Sequence, residues 1–282
     1  MRKWLSILIG GLLALGLTGP ASALTLNVVD HGNYGFGAFG LLFDGTNVWV
    51  SEGVGGNVIA QINQNAAGMP LTGVTRTLSG PGCCGAMGWD GTHFVSSSGS
   101  VIGFFNAATG ATAGSITTAV SGGLNDGLDF DHGEVWFGPD VGNKFRVNGT
   151  TGAFVGPQPV TTGGGGFSGI ERIDVGADTF LIVVNDASSP RLLCKTDLVG
   201  NFTAATDCAS LPNQRYEDLA FDGRFLYAAD VFGNRVDKID LAIDGGSIFV
   251  PSGPGGVPEP GTLLLVGLGL VTLAGLRRRN RK

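Results

Sequence analysis

Histidine is nearly absent. The 282-residue chain has three, His31, His93 and His132. None is spaced from another as paired zinc ligands are. His93 and His132 fall at or beside hairpin turns, where polar surface residues are expected. The Gly-x-Ser-x-Gly elbow is also missing. Gly166-Phe167-Ser168-Gly169-Ile170 comes nearest and fails at its last position. There is no phosphate-cradling Gly-Lys-Ser/Thr loop. Asp126, Asp129, Asp131 and Glu134 crowd together but miss the spacing and glycine placement of a calcium-binding EF-hand. Charged residues are only 14% of the chain, while Gly numbers 50. Apolar runs recur throughout, so this composition does not describe disorder. It describes many short strands joined by tight turns.

The two ends read as targeting segments. Arg2 and Lys3 precede an apolar run from Trp4 to Leu17, which closes on Ala21-Ser22-Ala23. A charged start, an apolar run and a small-residue site in that order predict a secretory signal peptide over residues 1–23, cut by signal peptidase after Ala23. The C-terminus reads Pro258-Glu259-Pro260, then an apolar stretch from Thr262 to Leu276, then a basic cluster from Arg277 to Lys282. From Pro258 the stretch reaches the lower end of a membrane span, roughly 17 residues. The basic cluster favours a cytoplasmic C-terminus. A plain single-pass anchor would look similar. The three-part pattern over 257–282 resembles the PEP-CTERM sorting signal. That resemblance implies an exosortase-type partner that cleaves the tag in the inner membrane, delivery to the envelope or extracellular space, and a tendency to associate with exopolysaccharide or matrix. The Pro/Gly-rich stretch 251–257 reads as the linker to the tag at 258–282.

Both ends hide the charge of the body. The chain has 17 Lys+Arg and 23 Asp+Glu. Seven of the basic residues and one of the acidic ones lie in the ends, so residues 24–256 keep 10 basic and 22 acidic residues, near −12. Such a body repels nucleic acid and attracts cations. Four cysteines suit an oxidising compartment. Cys194 and Cys208 are a natural pair, closing a loop worth about 3 kcal/mol. Cys83 and Cys84 are adjacent, and pairing with each other, pairing elsewhere and remaining free all stay open.

An internal repeat organises the body. An apolar residue, Asp and a nearby Gly recur at Phe43-Asp44-Gly45, Trp89-Asp90-Gly91, Phe130-Asp131-His132-Gly133, Ile173-Asp174-Val175-Gly176 and Phe221-Asp222-Gly223. Each precedes a β-rich run such as Val48-Trp49-Val50. Asp-Gly between apolar runs signals a hairpin. An Asn or Asp then closes the next strand at Asn63, Asn106, Asn148, Asp197 and Asp240, followed by a Gly turn. Each unit spans about 41 to 49 residues and about four strands, the period of a propeller blade. The expected fold is therefore all-β, a propeller of five four-stranded blades over 24–250, with Leu24 to Asp30 as a strand closing the ring. An apolar helix is expected in the tail. The body resembles the broad NHL/YVTN/SMP-30-like propellers, which share an architecture and not an activity.

Loops leading into the innermost strands carry Asp126, Glu171, Glu217 and Asp218. Gathered at one mouth, such oxygens would suit Ca²⁺. Solvated acidic loops are the simpler reading in so acidic a protein, and no cofactor is expected. Two readings follow. One is a non-enzymatic binding or structural module, which the missing catalytic constellation favours. The alternative, which the SMP-30-like resemblance implies, is a secreted metal-dependent lactonase or hydrolase with its site at the channel mouth. A propeller that binds a sugar or other small molecule is a third.

Overall fold

A computed structural model describes residues 26–120, 125–139, 144–156, 167–175, 178–185, 191–199, 208–211 and 214–241. The chain divides into two compact units, Met1–Phe249 and Val250–Lys282, and all described residues belong to the first. Among them no helix is long and apolar enough to cross a membrane. The expected signal peptide and tail helix lie outside the described residues.

The order is β1 (Val28–Asn33), then β2 (Ala38–Phe43), β3 (Val48–Glu52), β4 (Val58–Ile62) and β5 (Leu71–Thr77), which form the first blade. The second blade is β6 (Met87–Trp89), β7 (His93–Ser98), β8 (Val101–Asn106) and β9 (Thr112–Thr117). The third holds β10 (Asn125–Asp131), β11 (Glu134–Pro139) and β12 (Phe145–Asn148), with a bridge from Val147 to Phe154 marking its outer edge. The fourth is β13 (Phe167–Val175), β14 (Asp178–Asn185), β15 (Arg191–Thr196) and β16 (Cys208–Leu211). The fifth is β17 (Tyr216–Phe221), β18 (Phe225–Asp230) and β19 (Arg235–Asp240), completed by β1. The protein is a five-bladed β-propeller. The closing strand lies slightly later than the sequence suggests. It pairs antiparallel with β19 from Val28↔Ile239 to Asn33↔Arg235, which covers an edge that would otherwise be open.

The repeated landmarks are turn chemistry. Asp44 Oδ1 accepts the N–H groups of Thr46 and Asn47 at 2.9 and 2.7 Å. Asp90 and Asp222 do the same for the residues two and three further on. The other oxygen reaches the next strand, accepting from Trp49 Nε1 at 2.7 Å and from the Tyr227 hydroxyl at 2.8 Å. Gly45 sits at φ +87°, a backbone conformation that strains any residue carrying a Cβ. The closing Asn landmarks are Asx turns: Asn106 and Asn148 each take two following N–H groups on Oδ1.

The core is split into layers between neighbouring blades. Successive strand residues face opposite ways, so Leu41 joins the layer shared with the fifth blade and Leu42 the layer shared with the second. The outer strands β5 and β9 are mostly exposed. Cys194 and Cys208 form a disulfide that staples β15 to β16 within the fourth blade. Cys83 and Cys84 are paired with each other across a cis peptide bond, just ahead of β6.

Candidate functional site

The innermost strands β2, β6, β10, β13 and β17 surround a central channel. Each gives one side chain to an interblade layer: Leu41, Met87, Leu128, Ile170 and Leu219. The residues just before them are Gly40, Ala86, Gly127, Gly169 and Asp218. Small residues are needed there because the strands converge. A Cβ on Gly127 would strike the Ser168 carbonyl oxygen, and one on Gly40 would lie 2.9 Å from the Gly85 carbonyl oxygen. Only the fifth blade places a long side chain at this level, and it fills the channel. Asp218 Oδ2 accepts the N–H groups of Leu41 and Met87, both at 2.8 Å, and Oδ1 accepts that of Leu128 at 3.3 Å. One carboxyl group thus joins the first three blades to the fifth. Ladder shifts at Ala38/Leu41, Asn125/Gly127 and Tyr216/Asp218 put bulges next to these contacts, which frees backbone groups from the sheets to point inward.

A cavity of about 320 Å³ opens beside this plug, toward the Asp-Gly turns. Its lining comes in levels along the inner strands. Leu41, Met87 and Leu219 form the deepest, and Leu42, Gly88, Asp129, Glu171 and Ala220 the next. Phe43, Trp89, Phe130, Arg172 and Phe221 form the level nearest the turns. Asp129 and Glu171 hold matching places on neighbouring strands and make matching bonds. Asp129 Oδ2 accepts the Arg172 N–H and Glu171 Oε1 the Phe221 N–H, each at 2.9 Å. At the rim Arg172 Nε lies 3.1 Å from Asp131, and its Nη2 lies 3.6 Å from Asp174. His132 Nδ1 is 2.7 Å from Asp131.

Burial dominates the electrostatics of the acids. It pushes Asp129 up to about 7, helped by the negative charge of Asp131 and opposed by the Arg172 N–H. Glu171 is held well above the usual carboxylate range by burial and by its neighbours Asp129 and Asp218. Asp218 is also raised by burial, against the N–H groups of Met87, Leu41, Leu128 and Leu219. Asp129 and Glu171 therefore tend to keep their protons near neutral pH. They can donate a hydrogen bond or ionise when a positive charge arrives. Among the described residues, the cavity lining has no Ser, Cys, His or Lys.

The structure divides the four carboxylates expected at one mouth. Glu171 and Asp218 are neighbours at the channel. Asp126 is buried near the start of β10, and Glu217 is buried against Arg215, with Nε to Oε1 at 2.7 Å. Neither lines the cavity. Among the described residues, the three side chains whose donor atoms lie within 4.8 Å of one another are Asp131, His132 and Asp174. Arg172 already supplies the positive charge in that cluster. Sequence reasoning missed Asp129 and Arg172 as cavity residues. It also read the apolar-Asp-Gly landmark only as a hairpin signal, although Phe43, Trp89, Phe130 and Phe221 wall the cavity. Their recurrence just before each turn was the available sign.

The body is thus a plugged, five-bladed propeller with an acidic cavity at one mouth. The tail gives the more specific identification: residues 256–279 match the PEP-CTERM protein-sorting motif. Such a motif implies an exported protein sorted by an exosortase to the cell envelope or surface. No curated protein matches the chain. The crystal structure of Myxococcus xanthus glutaminyl cyclase is similar at TM-score 0.56 and 13% identity, covering 77% of this chain and 97% of that one. At that identity the likeness is one of fold. A chain of the mitotic checkpoint complex aligns at TM-score 0.42 and 13% identity over 72% of this chain and 61% of its own, and carries no argument.

Proposed function

We propose that this exosortase-sorted protein carries its propeller as a non-enzymatic binding or structural module at the cell envelope or in the extracellular matrix. The observation that carries this reading is the commitment of the channel acids. Asp218, Asp129 and Glu171 each accept backbone N–H groups from neighbouring blades, so they hold the ring together. A carboxylate used in this way is poorly placed to serve as nucleophile or as one of many ligands to a metal. After cleavage near Pro258-Glu259-Pro260, the propeller would leave the membrane intact.

The test follows the full chain in its host. Substituting Pro258, Glu259 and Pro260 by Ala is expected to leave the protein in the inner-membrane fraction, while the unaltered chain reaches the outer surface or medium. The same preparations are assayed on lactones and esters with and without Ca²⁺. Equal distribution of both chains would overturn the sorting half of the reading. Turnover that disappears in Glu171→Gln would overturn the module half. One observation favours the enzymatic alternative: Asp129, pushed up to about 7, lines a cavity of about 320 Å³ and is suited to proton transfer at neutral pH.

A further inference from the structure

The cavity carries a charge imbalance. Arg172 is the cation of its lining, and Asp131 and Asp174 face it. Arg172 also favours the ionised form of Asp129, while Glu171 has no cation partner among the described residues. Glu171 is only 9% exposed. Its Oε1 accepts the Phe221 N–H, while Oε2 accepts no hydrogen bond among the described residues, and the side chain lines the cavity. Around these acids stand Phe43, Trp89, Phe130 and Phe221, half-buried and drawn from four blades. Aromatic rings beside buried carboxylates stabilise an organic cation twice, through the ring quadrupole and through charge. A calcium ion would want at least about six oxygens. Here Asp129 and Glu171 already accept backbone N–H groups, Asp131 and Asp174 face Arg172, and aromatic rings supply part of the wall. The volume falls at the small end of the range for small-molecule sites, about 300–1,000 Å³.

We infer that this cavity binds a small organic cation, a primary or quaternary ammonium group seated between the Glu171 and Asp129 carboxylates and the aromatic walls. The inference rests on the binding-module reading and names its ligand class. Binding is linked to protons, because both acids must ionise to meet the charge. The charged groups acting on Glu171 are Asp129 and Asp131 from β10 and Asp218 from β17, while His132 from the turn after β10 and Arg172 and Asp174 from β13 gather around Asp131 at the rim. Binding should therefore strengthen as pH rises.

Tetramethylammonium chloride is titrated calorimetrically into the full chain in detergent, with sodium chloride, calcium chloride and glucose as comparisons. Saturable binding of tetramethylammonium alone is expected at about pH 8, weakened about ten-fold or more at about pH 6. Glu171→Gln keeps an oxygen for the Phe221 N–H and should abolish binding. Asp129→Asn should weaken it, and Trp89→Leu should weaken it about ten-fold. Circular dichroism confirms that each variant keeps its strands, and any one folded variant suffices for the comparison. No saturable binding, binding indifferent to pH and to the folded variants, or saturation by calcium or glucose instead would each overturn the inference. Those results leave the module reading standing, whereas ester or lactone turnover would remove it.

Discussion

Removing the Asp218 carboxyl group should loosen the ring at its centre. The side chain is fully buried and accepts three N–H groups from three other blades. Asp218→Ala leaves those donors without a partner. A hydrogen bond to a charged acceptor contributes about 1.5–3 kcal/mol. Assigning about 2 to each bond of 2.8 Å and about 1 to the longer one places the loss on the order of 5 kcal/mol. A neutral carboxyl would lower this to roughly 3 kcal/mol. Either figure is a large part of a typical stability of about 5–15 kcal/mol. Asp218→Asn keeps one oxygen for Leu41 and Met87 but turns its amide toward the Leu128 N–H, so about 1–2 kcal/mol is expected. Urea unfolding of the full chain, followed by tryptophan fluorescence with the disulfides oxidised, measures both variants. Trp49, Trp89 and Trp136 sit in the first three blades, which are the blades Asp218 holds. The midpoint should fall with little change in slope. An Ala variant within about 1 kcal/mol of the parent, or an Asn variant weaker than Ala, would refute the role of this side chain as a tie.

Stability should fall as pH rises from about 4 to about 7, opposite to the usual behaviour of paired carboxylates. The folded pKa of Asp129 is raised from 3.8 to about 7, so the folded state keeps a proton that the unfolded state releases across that window. The contribution is present below the unfolded value and is lost by the folded one, on the order of 4 kcal/mol. Asp129→Asn should flatten the profile in urea titrations, and an unchanged slope would refute the assignment. Gly127→Ala should cost about 2 kcal/mol or more, because its Cβ meets the Ser168 carbonyl oxygen; thermal unfolding reads this out, and a neutral result would contradict the strand convergence. Replacing Cys194 and Cys208 together by Ser should cost about 3 kcal/mol, the worth of a cross-link between residues 14 apart, with the parent losing a similar amount under reduction.

The architecture was legible because its signals are local. Asp44, Asp90 and Asp222 are conspicuous in the sequence for the reason that they matter in the fold: each carboxylate closes its own turn over two or three residues. Asn106 and Asn148 are legible for the same reason. The channel was not legible, because its contacts span long separations. Leu41 and Asp218 are 177 residues apart, and nothing near either residue announces the other. The loops leading into the inner strands looked like the natural place for a site. Glu171 stands on the level of Asp129 and Ala220, whereas Asp126 and Glu217 come three residues before that level on their own strands, and so Glu171 reaches the cavity while they do not.

The repeat itself separates architecture from function. Positions that serve the fold recur in kind, such as the turn aspartates and the interblade residues Leu41, Met87, Leu128, Ile170 and Leu219. The channel acids break the pattern. Asp218 stands where other blades have Gly40, Ala86, Gly127 and Gly169, and Asp129 and Glu171 stand where others have Leu42, Gly88 and Ala220. All three acids come from consecutive blades, so the ring is charged on one side of its axis and apolar on the other. Glycines or leucines fill these positions elsewhere without harm to the blade, and burying carboxyl groups raises all three pKa values, a standing cost in stability at neutral pH. For Asp218 the bonds to three blades are compensation enough. For Asp129 and Glu171 the return is weaker, two backbone N–H groups for the one and a single one for the other, and what remains is explained by a positively charged ligand that reaches them through the aromatic mouth.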